Sequence, residues 1–265
     1  MSGIEDFGRD LALYISSQKY GFKEFMAYRA QAISWILIQS LGAISTLIMV
    51  SVIYSVSSGV PGWGYFQLLA LGGLVQLTSG VISFLISPRT LVRTMRNGGL
   101  DQLLLKPYNP ALMIIARNAG IRSLGGVVSG ALLLAYALHG AGVGLGAMLI
   151  FIPSYLIGLA ALVMSVMVLA LVSYVLFKDA SYTNWLMNIM FSASDYPATI
   201  YGIIGSTALS ILVPVTFAVF FPAAAVFGYV NAYVILGVVL VCIAIAVMFY
   251  FSSSYMLRKY ESGGG

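Results

Sequence analysis

The sequence predicts an all-α, polytopic membrane protein with six transmembrane helices arranged as three hairpins. Two observations carry that prediction. The 265 residues are 60% hydrophobic and only 8% charged, too little polarity to coat a water-soluble globule, which carries roughly 25% charged residues. The charges are also segregated: Ala30 to Pro88, Ser123 to Phe177 and Tyr196 to Leu257 contain no Asp, Glu, Lys or Arg. Each block has room for two helices of about 20 to 25 residues and a turn.

Taken in chain order, residues 1–31 come first. Phe7, Leu11, Tyr14, Phe22 and Phe25 alternate there with Glu5, Arg9, Lys19 and Lys23, as in a helix lying on the inner leaflet with its lysines toward anionic lipid. An ordinary solvated helix is the plainer alternative. The start lacks a basic segment followed by a small-residue cleavage site, so a cleaved signal peptide is not expected.

The spans are expected near 32–56, 64–87, 114–138, 147–173, 200–220 and 232–256, a transmembrane domain over 32–257. Breakers mark the hairpin turns: SSGVPGWG near Ser57, HGAGVGLG near His139, and FFPAAAVFGYVN near Phe220. The third helix begins ahead of its charge-free block, so Arg117 and Arg122 belong at its cytoplasmic end, where they can snorkel. Every Lys and Arg lies outside the blocks and none lies in a hairpin turn. The positive-inside rule therefore puts both termini and the two long connections in the cytoplasm. Asp195, before Tyr196 and Pro197, is expected to cap the fifth helix on that side. Residues 258–265 form a cytoplasmic tail whose closing SGGG reads as flexible linker.

The connection after the second span is unusually polar for this chain. Pro88 ends the span, and Arg89, Arg93 and Arg96 then share one face of a short helix. Gly98 and Gly99 permit the turn that stops it. Leu100, Leu103 and Leu104 make an apolar ridge before Pro107, and Asn109 and Pro110 open the next helix. A ridge with a basic flank can dock another protein or pack on headgroups and neighbouring helices. The physics weighs the two evenly.

Among candidate pathway residues, Trp35, Gln39, Gly42 and Thr46 form one stripe on the first span, and Gly72, Gln76, Gly80 and Ser83 one on the second. They line either a route between subunits or a packing seam. Phe220 and Phe221 are candidates in the last block. Gly126 and Gly130 form a GxxxG that lets another helix approach, and the twelve methionines serve as flexible filler or as contacts for greasy cargo.

Several chemistries are excluded. Cys242 is the only cysteine and His139 the only histidine, so neither a disulfide framework, a metal cluster nor a histidine-based intramembrane protease can be assembled. No acid falls in an expected span, which argues against proton coupling. The phosphate-cradling pattern GxxxxGK[ST] is absent from the chain. The chain is not expected to be an enzyme or to bind nucleic acid.

The stretch RNGGLDQLLLKPYNP (96–110), with SDYPATIYG (194–202) and ILVPVTFAVFFPAAAVFG (211–228), resembles the permease subunits of ABC type-2 transporters. The resemblance is to a six-span branch formerly catalogued as of unknown function and related to permeases of drug and viologen exporters. It covers 89–110 and 195–228, and length and span count agree. It implies the ABC type-2 exporter fold, with the loop between the second and third spans as a coupling helix seated in a cytosolic ATPase. Arg89, Arg93, Arg96, Gly99, Leu100, Asp101, Leu103, Leu104, Lys106 and Pro107 would form that transmission surface. A second contact near 178–195 is an option. It further implies two ATPase subunits holding ATP and Mg, no cofactor in this chain, a second permease in a homodimer or heterodimer, and a re-entrant segment outside between the last two spans. Pro214 merely kinking the fifth span is the alternative. The function implied is export of a hydrophobic or amphipathic compound across the plasma membrane; a passive channel or scaffold is the rival reading.

Overall fold

The computed structural model describes residues 26–57, 59–86, 123–179, 181–202, 213–229 and 232–259, together with positions 12, 15, 16, 19, 23, 92, 105 and 205. The expected interfacial helix over 1–31 and the tail beyond Lys259 lie almost wholly outside them. Among the described residues the regular elements are helical: α1 Arg29–Val56, α2 Tyr65–Leu85, α3 Leu124–Gly140, α4 Leu145–Phe177, α5 Ser181–Ala193, a 3-10 turn Ala198–Tyr201, α6 Val215–Ala218, α7 Phe220–Val226 and α8 Ala232–Lys259. Three helices, Ala30–Val56, Tyr65–Leu85 and Leu145–Phe177, are long and apolar enough to cross a membrane; Leu124–Gly140, Val215–Val226 and Leu236–Ser252 are shorter apolar stretches. This is a membrane protein, and its apolar surface is the part that meets lipid.

Helices α1, α2 and α3 run antiparallel in sequence order. The turn between α1 and α2 needs Gly59 and Gly62, both at positive φ (81° and 79°), a region side chains avoid. Small residues then bring backbones together. A methyl added to Gly73, Gly80 or Gly130 would strike the backbone of Leu134, Val127 or Leu77 in turn, and one on Gly140 would strike the Phe66 ring. These pairings match the close approach expected of the GxxxG at Gly126 and Gly130, which lets dispersion contacts form without intervening side chains. They also place the turn before α4 beside the turn before α2. That shared edge is called the near end below.

Helix α4 has 33 residues and is about 50 Å long, more than the roughly 30 Å of hydrocarbon in a bilayer. It must tilt or extend past the membrane. It carries Pro153 internally and stops at Lys178, whose left-handed backbone (φ 54°) is the usual place for glycine at a helix end. The Lys178 ammonium lies 4.5 Å from the Tyr174 ring centre, a cation–π contact at the negative end of the helix dipole. Helix α8 runs parallel to α4: Cys242 clusters with Ala161 and Phe217, and Phe251 and Tyr255 line an apolar groove with Leu171 and Val175. Phe177 and Lys259 therefore share the far end.

The largest difference from expectation concerns 178–220. Helix α5 folds back along α4 instead of joining two spans as a loop. Thr183 donates to Ser173 Oγ at 2.6 Å and sits 3.4 Å from the Leu169 carbonyl, and Tyr182 stacks on Phe177 at 4.0 Å. Farther on, Trp63 Nε1, at the near end, donates to Thr199 Oγ1 at 3.0 Å. The chain thus travels from the far end to the near end between 181 and 199, over residues expected to form a cytoplasmic connection. The expected fifth span at 200–220 is not continuous helix where described: the 3-10 turn ends at Tyr201, Gly202 takes positive φ (69°), and a turn at Pro214 precedes four-residue α6. Residues 203–204 and 206–212 lie outside the described set. Nor does Asp195 cap a helix: Pro197 occupies the N-cap position and no side-chain cap bond is made.

Candidate functional site

The expected coupling residues Arg89, Arg93, Arg96, Gly99, Leu100, Asp101, Leu103, Leu104, Lys106 and Pro107 lie outside the described residues, as do Asn109, Pro110, Arg117 and Arg122. Of residues 87–122 the structure describes only Val92 and Leu105. The pathway candidates are described, and they fall in two separate places.

The first place is the seam of α1, α2 and α3. Gln76 donates through Nε2 to the Gln39 main-chain carbonyl at 2.8 Å. Gly42 faces the Gln76 amide, Gly72 faces the Thr46 methyl, and Gly125 and Gly126 lie under the Gln39 side chain. Gln39, Gly42, Thr46, Gly72, Gln76 and Gly80 therefore meet in a seam where polar side chains find partners away from lipid. Trp35 is half-buried one turn before Gln39, and Ser83 is exposed. Only 6% of the apolar window of α1 is buried, against 56% for α2 and α4. The rest of α1 presents Ile33, Leu37, Leu41, Ile44 and Ile48 outward.

The second place is the near end, around Trp63. This indole is 5% exposed and packs against Phe220, Phe227 and Tyr229 at centroid distances of 6.1, 6.4 and 5.0 Å. Its carbonyl accepts from Tyr54 OH at 2.5 Å. The Tyr229 hydroxyl sits 2.7 Å from the Gly62 carbonyl and 2.6 Å from Gln67 Oε1, and Gln67 Oε1 also receives the Gly64 N–H at 2.8 Å, capping α2. Phe220 touches Trp63, while Phe221 stacks on Phe217 at 5.6 Å. Trp63 thereby ties the first hairpin to the 3-10 turn and to the broken helix α6–α7. Sequence reading missed Trp63, Thr199, Gln67 and Tyr229; the available signal was an indole and a phenol in turns, since such rings settle at membrane interfaces.

The broken helix is seated inside the bundle. Val215, Phe217, Ala218, Val219, Ala223 and Ala224 are at most 2% exposed, and the Phe217 carbonyl rests on Gly158 of α4. Backbone groups freed by a helix break cannot be left to lipid, so protein covers them here. Deeper in the core, Thr78 Oγ1 and Tyr155 OH are buried without a hydrogen-bond partner. No group of three or more His, Cys, Asp or Glu that could hold a metal occurs among the described residues.

Replacing Trp63 by Phe should keep most of the packing and remove the bond to Thr199, lowering stability by about 1 kcal/mol. Trp63→Ala should cost about 3–5 kcal/mol. Thermal unfolding in detergent would check both, and equal effects would mean that the indole N–H contributes nothing.

Among the described residues, an all-helical apolar bundle with a discontinuous helix packed inside it defines a polytopic helical membrane protein. A family model described as ABC-2 family transporter protein matches residues 41–264, and the chain belongs to that family. It is the permease of an ABC transporter; permeases of this family are transmembrane components, generally non-catalytic, that normally work with ATPase subunits. Neither a curated protein nor a solved structure matches the chain.

Proposed function

We propose that the chain is the permease half of an ATP-driven exporter that carries a hydrophobic or amphipathic compound across the plasma membrane. It works as a dimer with a second permease, bound to two ATPase subunits through the 89–107 segment. The family match over 41–264 carries this reading. The seam residues and the aromatic near end supply a largely uncharged interior, better suited to amphipathic cargo than to phosphates or sugars. The little-buried α1 has the outward apolar face that a second permease would cover.

In this reading the near end is extracellular and the far end cytoplasmic. Past α1, the basic residues lie in the stretches that follow α2, begin at Lys178 and close α8, and α2, α4 and α8 all end at the far end, whereas the near-end turns hold no Lys or Arg. Residues 181–201, not 200–220, carry the fifth crossing, and the buried α6–α7 is the returning limb of a re-entrant segment that opens to the exterior. Reactive-probe labelling tests the orientation. Cysteine placed at the turn by His139 should react with an impermeant reagent outside the cell, and cysteine at Arg96 only in inverted vesicles. If both positions react from the same side, the scheme fails.

A further inference from the structure

Helices α4 and α8 meet around Ala161 and Cys242. About ten residues farther along each helix, roughly 15 Å toward the far end, they leave a groove between them. Leu171, Val175 and Leu176 of α4 and Phe251 and Tyr255 of α8 bound a volume of about 460 Å³, within the roughly 300–1,000 Å³ of small-ligand sites. Leu171 is its floor at 6% exposed, whereas Leu176, Phe251 and Tyr255 form a rim at 65, 66 and 56%. Among the described residues no side chain fills it. The groove also lies where hydrocarbon gives way to headgroups. The apolar run of α4 ends at Phe177 and that of α8 at Ser252, and the first charged residues past them are Lys178 and, on α8, Arg258 and Lys259. Lys178 is exposed. The acid next to it, Asp179, turns Oδ1 toward the Ser181 N–H at 3.2 Å, at the start of α5; Glu261 follows α8 outside the described residues.

Shape and charge together select the occupant. A helix about 10 Å across takes up about 400 Å³ for each 5.4 Å turn, so the groove would admit little more than one turn of a protein partner. An acyl chain is narrow and carries no backbone groups that need partners in an apolar slot. Basic residues at the end of an apolar span attract anionic lipid, and here they close both helices that form the groove. We propose that the groove holds one acyl chain of an anionic phospholipid from the leaflet at the far end, with its phosphate at Lys178. The hydroxyls of Ser252 and Tyr255, both groove residues, stand at the level of the ester and phosphate oxygens, as a tyrosine with an apolar body and a wet tip does at membrane interfaces. The site requires only that α4 and α8 meet lipid, and it is the same whichever side of the membrane the far end faces.

The test is native mass spectrometry of the assembled transporter, titrated in detergent with dioleoylphosphatidylglycerol and, as control, dioleoylphosphatidylcholine. The parent should retain the anionic lipid at concentrations that leave the zwitterionic one unbound. Lys178→Gln should weaken the anionic lipid about fivefold, the effect of one basic residue near a charged headgroup, and Lys178→Arg should keep it. Val175→Trp fills the groove with an indole and should displace the lipid although Lys178 is untouched. Phe251→Ala removes one wall and should do the same, which covers the case in which the indole disturbs folding. Leu132→Trp, on the exposed face of α3, adds comparable bulk elsewhere and should change nothing. Equal binding of the two lipids, unchanged binding in Lys178→Gln or in both groove variants, or equal loss in Leu132→Trp overturns the proposal. So does loss of a protein subunit from Val175→Trp with the lipid count intact, which would make the groove a protein interface.

Discussion

Gly158→Leu is expected to be among the most damaging single substitutions in the membrane domain, lowering stability by about 3 kcal/mol or more. The reason is what the new side chain would meet. A β-carbon at this position lands on the Phe217 carbonyl and crowds the Ala218 α-carbon, so the obstacle is main chain, which cannot swing aside as a flexible side chain does. Helix α6 would have to leave α4, exposing the backbone of a broken helix to lipid that cannot satisfy it. The neighbouring contacts of Val215 and Ala218, both fully buried, would go with it. Gly237→Ala in α8 is the matched control: a β-carbon there meets nothing within 4 Å, and losing a helix-interior glycine should gain about 0.5–1 kcal/mol. Thermal unfolding in detergent reads both. Similar melting temperatures for Gly158→Leu and the parent would show that α6 does not depend on that contact.

Leu104→Asp should have the largest functional effect, abolishing transport while leaving the free energy of unfolding within about 1 kcal/mol of the parent, as its expected place in the polar connection after α2 allows. In the proposed assembly Leu104 belongs to the apolar ridge of the 89–107 segment, seated against an ATPase. A carboxylate buried there without a partner costs about 3–5 kcal/mol, enough to weaken docking a hundredfold or more. Leu104→Met keeps volume and apolarity and should preserve transport. Co-purification of the ATPase with the tagged permease, measured beside substrate efflux, separates docking from folding. An ATPase that stays bound to the Leu104→Asp protein, with efflux intact, would move the coupling surface elsewhere in the chain.

These two substitutions probe different kinds of knowledge. Gly158 has no special mark in the sequence; it is one glycine among 28, and nothing local predicts that a carbonyl from residue 217 will rest on it. The ridge at Leu100, Leu103 and Leu104 is the reverse case, visible as apolar residues stranded in a polar segment. The helices at Arg29–Val56, Tyr65–Leu85, Leu124–Gly140, Leu145–Phe177 and Ala232–Lys259 overlap stretches that a charge-free run and a Gly- or Pro-marked turn point to in one dimension. The site divides the same way. The Gln39 and Gln76 stripes could be read from helical spacing, but their partners, Gly125 and Gly126 on α3, could not.

The segment 178–220 shows where one-dimensional reading stops. Hydropathy favours 200–220 as a span and treats SYTNWLMNIMFSA as a polar connection, because it scores each residue as if alone in lipid. In the folded chain Thr183 is fully buried against Ser173, so two hydroxyls satisfy each other and the polar helix is accepted against α4. The more apolar stretch that follows is broken at Pro214 and Val219.

By itself, then, the amino-acid order determined the solvent of this protein, the segregation of its basic residues, the turns after Val56 and Gly140 and the family to which it belongs, since all of these follow from local composition and spacing. The third turn, expected near Phe220, is instead the buried helix α7. Which polar residues find partners at depth, which glycines meet backbone, and which way the chain runs between Lys178 and Trp63 were decided only by tertiary structure. A hydrogen bond or a close approach between residues far apart in sequence has no local cause, and it exists only once the helices are packed.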